Sequence, residues 1–233
     1  MTDRSVHRDA AGSPGNGAAV VVGTIVSVNV GEPRVVPWAG REVTTAIWKE
    51  PVEGRVAVAG VNLAGDGQAD RRVHGGPDKA VYAYAVEDYE WWSTELGRPI
   101  GPGTFGENLT VRSLDLGTAV VGEVWAAGTA RLAVTEPRLP CFKLGIRMGD
   151  AAFVHRFDDA RRHGTYLRIV EDGDIGAGDA VTLLSRPDHG LTAASIAAVY
   201  ESRDRAGLEQ LVTTPGVPES WRDWAFGRLE RGS

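Results

Sequence analysis

Thirty glycines punctuate this chain of 233 residues, against only two methionines, and the segments between them are dense in β-branched residues. That punctuation predicts many tight turns and a β-rich body. Val20–Val30, Val43–Trp48, Arg55–Val61 and Ala80–Ala85 read as strands, followed by Leu109–Val111, Ala119–Ala126, Thr129–Thr135, Tyr166–Val170 and Ala180–Leu184. The pair around Ala127-Gly128 reads as a hairpin. A Gly- and Asp-rich turn, Asp172 to Asp179, joins the last two strands. Two stretches break the pattern. Val86–Leu96 places Tyr89, Trp92 and Leu96 on one helical face and stops at Gly97. Leu144–Phe157 also reads as helical.

Composition shifts at Pro187-Asp188-His189-Gly190. Three short amphipathic helices follow, Thr192–Ser202, Ala206–Val212 and Pro218–Leu229. The last places Trp221, Trp224, Ala225 and Arg228 at helical spacing. So short a trio cannot bury a core alone and should pack on itself and on the β body. Trp91-Trp92 and the Trp221/Trp224 pair are expected to serve packing rather than a ligand cage. The expected organisation is a disordered polar tail over 1–18, a β domain over 19–188 and a three-helix domain over 189–233.

Several function classes are disfavoured. The net charge of −6 argues against a general nucleic-acid surface or an anionic-membrane contact. No apolar run reaches the roughly 18 residues a span requires. The N-terminus lacks the apolar stretch of a secretory signal, and a lone cysteine suits a reducing compartment, so the cytoplasm is expected. The five histidines lack zinc-motif spacing, and neither a Walker loop nor a Gly-x-Ser-x-Gly elbow is present.

Three segments carry candidate chemistry. The lone cysteine, Cys141, follows two prolines and lies between Arg138 and Lys143, cations that favour a thiolate. It reads either as an inert buried thiol or as a nucleophile or metal ligand. Gly65 to Ala80 brackets Arg71, Arg72, His74 and Lys79 with glycines. In extended geometry Arg72 and His74 project to one face, suiting an anion and a proton transfer, or they form a solvated turn. Pro102-Gly-Thr-Phe-Gly-Glu-Asn-Leu109 is a second Gly-rich loop, in which backbone N–H groups and Asn108 suit a phosphate, or it is a tight barrel corner. Arg161-Arg162-His163 reads as a solvated loop able to rim a pocket.

Together, Arg72-x-His74-Gly-Gly-Pro, Phe105-Gly-Glu-Asn-Leu109, Arg138-Leu-Pro-Cys141-Phe-Lys143 and Tyr166-Leu-Arg-Ile-Val-Glu-Asp-Gly173 with Gly178-Asp179 resemble the MOSC domain family in its YiiM-type branch. The family takes its name from the C-terminal domain of molybdenum cofactor sulfurases. The resemblance covers roughly residues 20 to 230. It implies a mainly β fold with α elements: a MOSC-type β-barrel with flanking helices and a small C-terminal three-helix domain. It also implies a bound molybdenum cofactor (molybdopterin), with Cys141 as molybdenum ligand or sulfur carrier. The catalytic trio would be Cys141, His74 and Arg72. Arg71, Lys79, Asn108, Arg138 and Lys143 would hold the cofactor, and His74 would deliver a proton.

The implied activity is reduction of N-hydroxylated small molecules such as hydroxylaminopurine-type base analogues. With no flavin, iron–sulfur or haem motif present, electrons would come from a separate donor reductase. A cofactor or sulfur carrier without turnover and a metal-free Cys/His enzyme are the alternatives. A homodimer is an open option, and neither nucleic acid nor membrane is an expected partner.

Overall fold

The structure, a computed structural model, describes residues 19–69 and 75–232. The segment read as a disordered tail, 1–18, therefore lies outside the described residues, as do Arg71, Arg72 and His74.

The chain opens on β1 (Val20–Val30) and the hairpin of β2 (Arg34–Trp38) and β3 (Arg41–Thr45). The short strands β4 (Glu50–Pro51), β5 (Arg55–Ala59) and β6 (Asn62–Leu63) follow. A 3-10 turn at Pro77–Lys79 leads into β7 (Val81–Ala85), which runs directly into α1 (Val86–Leu96). Then come β8 (Leu109–Arg112), the hairpin of β9 (Val124–Ala127) and β10 (Ala130–Pro137), and the helices α2 (Phe142–Met148) and α3 (Phe153–Asp159). After β11 (Thr165–Glu171), β12 (Gly173–Gly176) and β13 (Ala180–Ser185), the chain ends in α4 (Ala193–Ser202), α5 (Arg205–Thr213) and α6 (Glu219–Glu230).

Seven strands pair in the order β13-β9-β10-β11-β7-β8-β1, and β1 returns to pair with β13. The sheet therefore closes into the expected barrel, and closure removes the strand edges. Within the barrel, β7 and β8 pair in parallel, a geometry that requires a long crossover, here α1 and the loop after it. A separate small sheet pairs β12, β5 and β6.

β7 shows why one strand can serve two cores. All five of its residues are buried. Val81, Ala83 and Ala85 face the aliphatic barrel interior, with Ile25, Leu109, Leu132 and Val181. Tyr82 and Tyr84 face the opposite way, into an aromatic layer with Trp92 of α1, Phe105, and Phe153 and Phe157 of α3. The Trp92 indole donates to the Tyr84 hydroxyl at 3.0 Å, which satisfies its one polar group in this layer. Gly97 ends α1 in the left-handed conformation, as the sequence predicts.

The C-terminal helices bury Ile196, Leu208, Leu211 and Trp221 together with Val121, which lies between β8 and β9. A backbone hydrogen bond from Val121 to Leu191 (2.9 Å) and a capping box at Thr192 and Ser195 fix the entry into α4. No helix among the described residues is long and apolar enough to cross a membrane.

Four sequence expectations change. The Val43–Trp48 strand stops at Thr45 and pairs with β2, a strand whose Pro37 hides it from a propensity reading. The expected Ala119–Ala126 strand is shortened to β9 from Val124, because Val120 bridges Thr192 and Val121 N donates to the Leu191 carbonyl just ahead of α4. Leu144–Phe157 is two helices, broken where Gly149 takes φ 70° and the Asp150 carboxylate accepts from Ala152 N at 2.8 Å. The Asp172–Asp179 turn contains β12, recruited by β5.

Candidate functional site

One cleft gathers six separated stretches of chain. Residues 45–49 follow β3, and 66–69 follow β6. The other walls are 79–82 at the start of β7, 105–108 before β8, and 138–143 between β10 and α2, with Tyr166 of β11. A concave site with several convergent polar groups suits a small ligand or cofactor.

Cys141 lines this cleft, half-buried. β10 ends at Pro137, the chain stays out of the sheet through Pro140, and Cys141 is the extended N-cap residue of α2 (φ −132°, ψ 169°). Its carbonyl accepts from Leu144 N at 2.9 Å, so the backbone beneath the sulfur is anchored.

Arg138 is the floor. It is 5% exposed, and its Nη1 has no hydrogen-bond partner. Nη2 reaches the Phe105 carbonyl at 3.5 Å, near the limit of a hydrogen bond, and the Tyr166 hydroxyl is a further hydrogen-bond partner of the guanidinium. Among the described residues no carboxylate forms an ion pair with it. The guanidinium instead lies 5.6 Å from the Tyr82 ring centroid and 5.4 Å from that of Phe157. Burial works against its charge, yet the facing Tyr82, Cys141 and Tyr166 hold its pKa above the ordinary arginine value. Burial pushes the Tyr166 phenol up to about 12, against the opposing charge of Arg138, so it stands in the cleft as a protonated donor.

Three lysines also line the cleft. Lys143 lies in the first turn of α2. Lys79 ends the 3-10 turn and stands 3.8 Å from Glu136 Oε1. Lys49 is different, because it is buried in an ion pair with Asp66. Burial lowers its pKa, and Asp66 opposes the shift. Asp66 also accepts from Gly31 N at 2.9 Å and from Asn108 Nδ2 at 3.0 Å.

Asn108 lines the cleft, but its amide is committed to the protein. Nδ2 donates to Asp66 and to the Asn29 carbonyl, and Oδ1 accepts from Tyr82 N. It ties β1, β7 and the Asp66 loop together, and this assigns it to positioning the wall rather than donating to a phosphate. Glu107 beside it is fully buried and accepts from Tyr89 Oη (2.7 Å), Gly103 N (2.6 Å) and Thr110 Oγ1 (2.8 Å). Burial raises its pKa, while those donors oppose the shift. The Gly-rich loop is therefore a buttress for the cleft.

Gly103 tests that assignment. It adopts φ +79°, and a Cβ there would stand 2.2 Å from the Lys49 carbonyl oxygen. Gly103→Ala is expected to lower stability by about 2 kcal/mol or more, read from urea unfolding. An unchanged midpoint would show that the loop is not pinned against the Lys49 segment.

Of the residues singled out from sequence, Cys141, Lys79, Asn108, Arg138 and Lys143 meet in this cleft. Arg71, Arg72 and His74 lie outside the described residues, and the chain on either side of them, at Ala69 and Lys79, lines the cleft. The Arg161-Arg162-His163 cluster rims a different hollow, in which Arg162 pairs with Asp88. His163 is buried there, contrary to the solvated loop expected for it, and burial lowers its pKa against the hydrogen bond to Asp158. Sequence reasoning gives no site role to Lys49 or Tyr82, and names Asp66 and Tyr166 only within longer motifs.

The sequence profile described as the MOSC domain matches residues 70–182. The chain is 34% identical over 201 residues to the uncharacterized Bacillus subtilis (strain 168) protein YflK, covering 85% of this chain and 91% of that one. It is 34% identical over 154 residues to a Gibberella moniliformis protein named "Reductase", covering 64% of this chain but 27% of that protein. The crystal structure of YiiM from Geobacillus stearothermophilus superposes with a TM-score of 0.74 at 32% identity, covering 89% of this chain and 99% of that one.

Proposed function

Since the chain belongs to the MOSC domain family, we propose that its cleft holds a phosphorylated molybdenum–pterin cofactor ligated by Cys141, and that it reduces N-hydroxylated small molecules with electrons from a separate donor protein. One observation carries this reading: a buried arginine with an unpartnered nitrogen and, among the described residues, no carboxylate paired with it, beside the one cysteine. An isolated buried charge is costly. A buried guanidinium that no carboxylate among the described residues neutralises suits an anion, and phosphate matches its donor fork.

The donor set fits such a cofactor. Thiolate is a soft ligand suited to a soft or covalent metal centre, and Cys141 presents its sulfur from the anchored N-cap of α2. Arg138, Lys79 and Lys143 supply positive charge to the cleft from two separate stretches of its lining. Arg71 and Arg72 extend the cationic set by our reading, since both flanks of their segment line the cleft. When bound, the molybdenum cofactor supplies two-electron redox chemistry.

The chain's own residues do the rest. Reduction of R–NHOH to R–NH2 and water consumes two electrons and two protons. We assign one proton to His74 and the other to solvent, with the protonated Tyr166 phenol donating a hydrogen bond and Arg72 holding the substrate's polar group. Tyr82 and Phe157 shield Arg138 and keep its field undiluted by solvent. The relative named as a reductase supports turnover over passive carriage.

The test is protein purified from a host that makes the cofactor. Molybdenum and pterin are expected at about one per chain, with reduction of a hydroxylaminopurine when an electron donor is supplied. Stoichiometric cofactor without reduction by any donor would favour a carrier, and absence of metal and pterin would defeat the proposal.

A further inference from the structure

The helical tail reaches the cleft through one hydrogen bond. Trp221 of α6 donates its indole N–H to Glu136 Oε2 at 2.5 Å. Glu136 is 3% exposed, at the end of β10. Its other oxygen, Oε1, has no hydrogen-bond partner and stands 3.8 Å from Lys79 Nζ. That separation makes an ion pair but not a hydrogen bond. Lys79 in turn lines the cleft. The frame around it is rigid: Thr135 Oγ1 donates to the Asp78 carbonyl at 2.6 Å, and the Asp78 carboxylate is taken by Arg168. Trp221 is itself fixed in an edge-on cluster with Tyr200 and Trp224.

We propose that Trp221 is a positioning residue for the anion site, holding the Glu136 carboxylate in an orientation that limits how far it neutralises Lys79. The inference rests on the reading of the cleft as a site for a phosphorylated ligand. Without the indole N–H, the buried carboxylate keeps Lys79 as its one donor among the described residues, and it turns toward that lysine to compensate its own burial. The lysine then contributes less to a bound anion. Burial raises the Glu136 pKa, while Lys79 and Trp221 oppose that shift, in keeping with a carboxylate shared between them.

The proposal predicts opposite signs for two variants in the same chain of contacts. The full-length protein is titrated calorimetrically with inorganic pyrophosphate. Trp221→Phe, which keeps an aromatic ring and removes the N–H, is expected to bind about 5-fold more weakly. Glu136→Gln, which removes the competing charge, is expected to bind about 5-fold more tightly. The double variant should match Glu136→Gln alone, because Trp221 acts through Glu136.

A merely structural role moves both variants the same way, and that outcome overturns the proposal. So does an additive double variant. Should Trp221→Phe fail to fold, Glu136→Gln decides alone, with unchanged or weaker binding as the overturning result. Failure of the wild-type protein to bind pyrophosphate would instead remove the anion-site reading itself, and this inference with it.

Discussion

Replacing Cys141 by alanine is expected to leave a folded protein that no longer retains molybdenum and reduces a hydroxylaminopurine at least about 10³-fold more slowly. The effect is large because nothing in the chain can substitute: there is one cysteine in 233 residues. The fold should tolerate the change. Cys141 is half-buried and lies outside the three hydrophobic clusters. Its loss should therefore shift stability by less than about 1 kcal/mol. Cys141→Ser should behave like alanine, since a hydroxyl is a hard and weakly acidic ligand. Metal analysis, thermal melting and steady-state reduction on the same preparation check the three parts together. Full molybdenum content with undiminished reduction in Cys141→Ala would sink the assignment. A metal-free protein whose hydrolytic activity is abolished by alkylation at Cys141 would point to a thiol enzyme instead.

The readable part of this site is the part carried by local chemistry. Arg138, Cys141 and Lys143 fall within six residues, and the prolines before Cys141 announce a strand end. Lys79 announces itself through the Gly-Gly-Pro turn before it. These cues are encoded in residues a few positions apart. The unread half is set by pairing between distant segments. Tyr82 and Tyr166 come together because β7 and β11 pair in that register, with the two residues directly opposed. Lys49 and Asp66 meet across the approach of one loop to another and share no motif.

The Gly-rich loop from Pro102 to Leu109 shows the opposite failure. Its glycines suggest an approach to phosphate, whereas Gly103 and Gly106 are required by close contact with Lys49 and Ile47. Composition cannot tell which neighbour a glycine makes room for. The barrel and the helical tail are legible because strand alternation and helical periodicity extend over whole elements. β2 and β12 are not, since a proline and a glycine-rich turn mask strands that only their partners stabilise.

Arg138→Met should separate ligand binding from stability most sharply. The guanidinium is 5% exposed, one nitrogen has no partner, and no carboxylate among the described residues neutralises it. Its desolvation penalty is of the order of several kcal/mol. The contacts with Tyr82 and Phe157 return about 0.5–2 kcal/mol. Methionine has a similar reach, packs against the same rings and carries no charge. The cofactor-free variant is therefore expected to be more stable than wild type by about 1–3 kcal/mol, read from urea unfolding. The same change should weaken pyrophosphate binding at least about 10²-fold, because two charge-assisted hydrogen bonds from the fork are lost. Arg138→Lys should recover the charge but only part of the affinity, lacking the planar fork. A cofactor-free Arg138→Met that loses 3 kcal/mol or more would mean the guanidinium holds the aromatic layer together. Arg138 would then be a structural residue, and the strongest reason for placing an anion in this cleft would be gone.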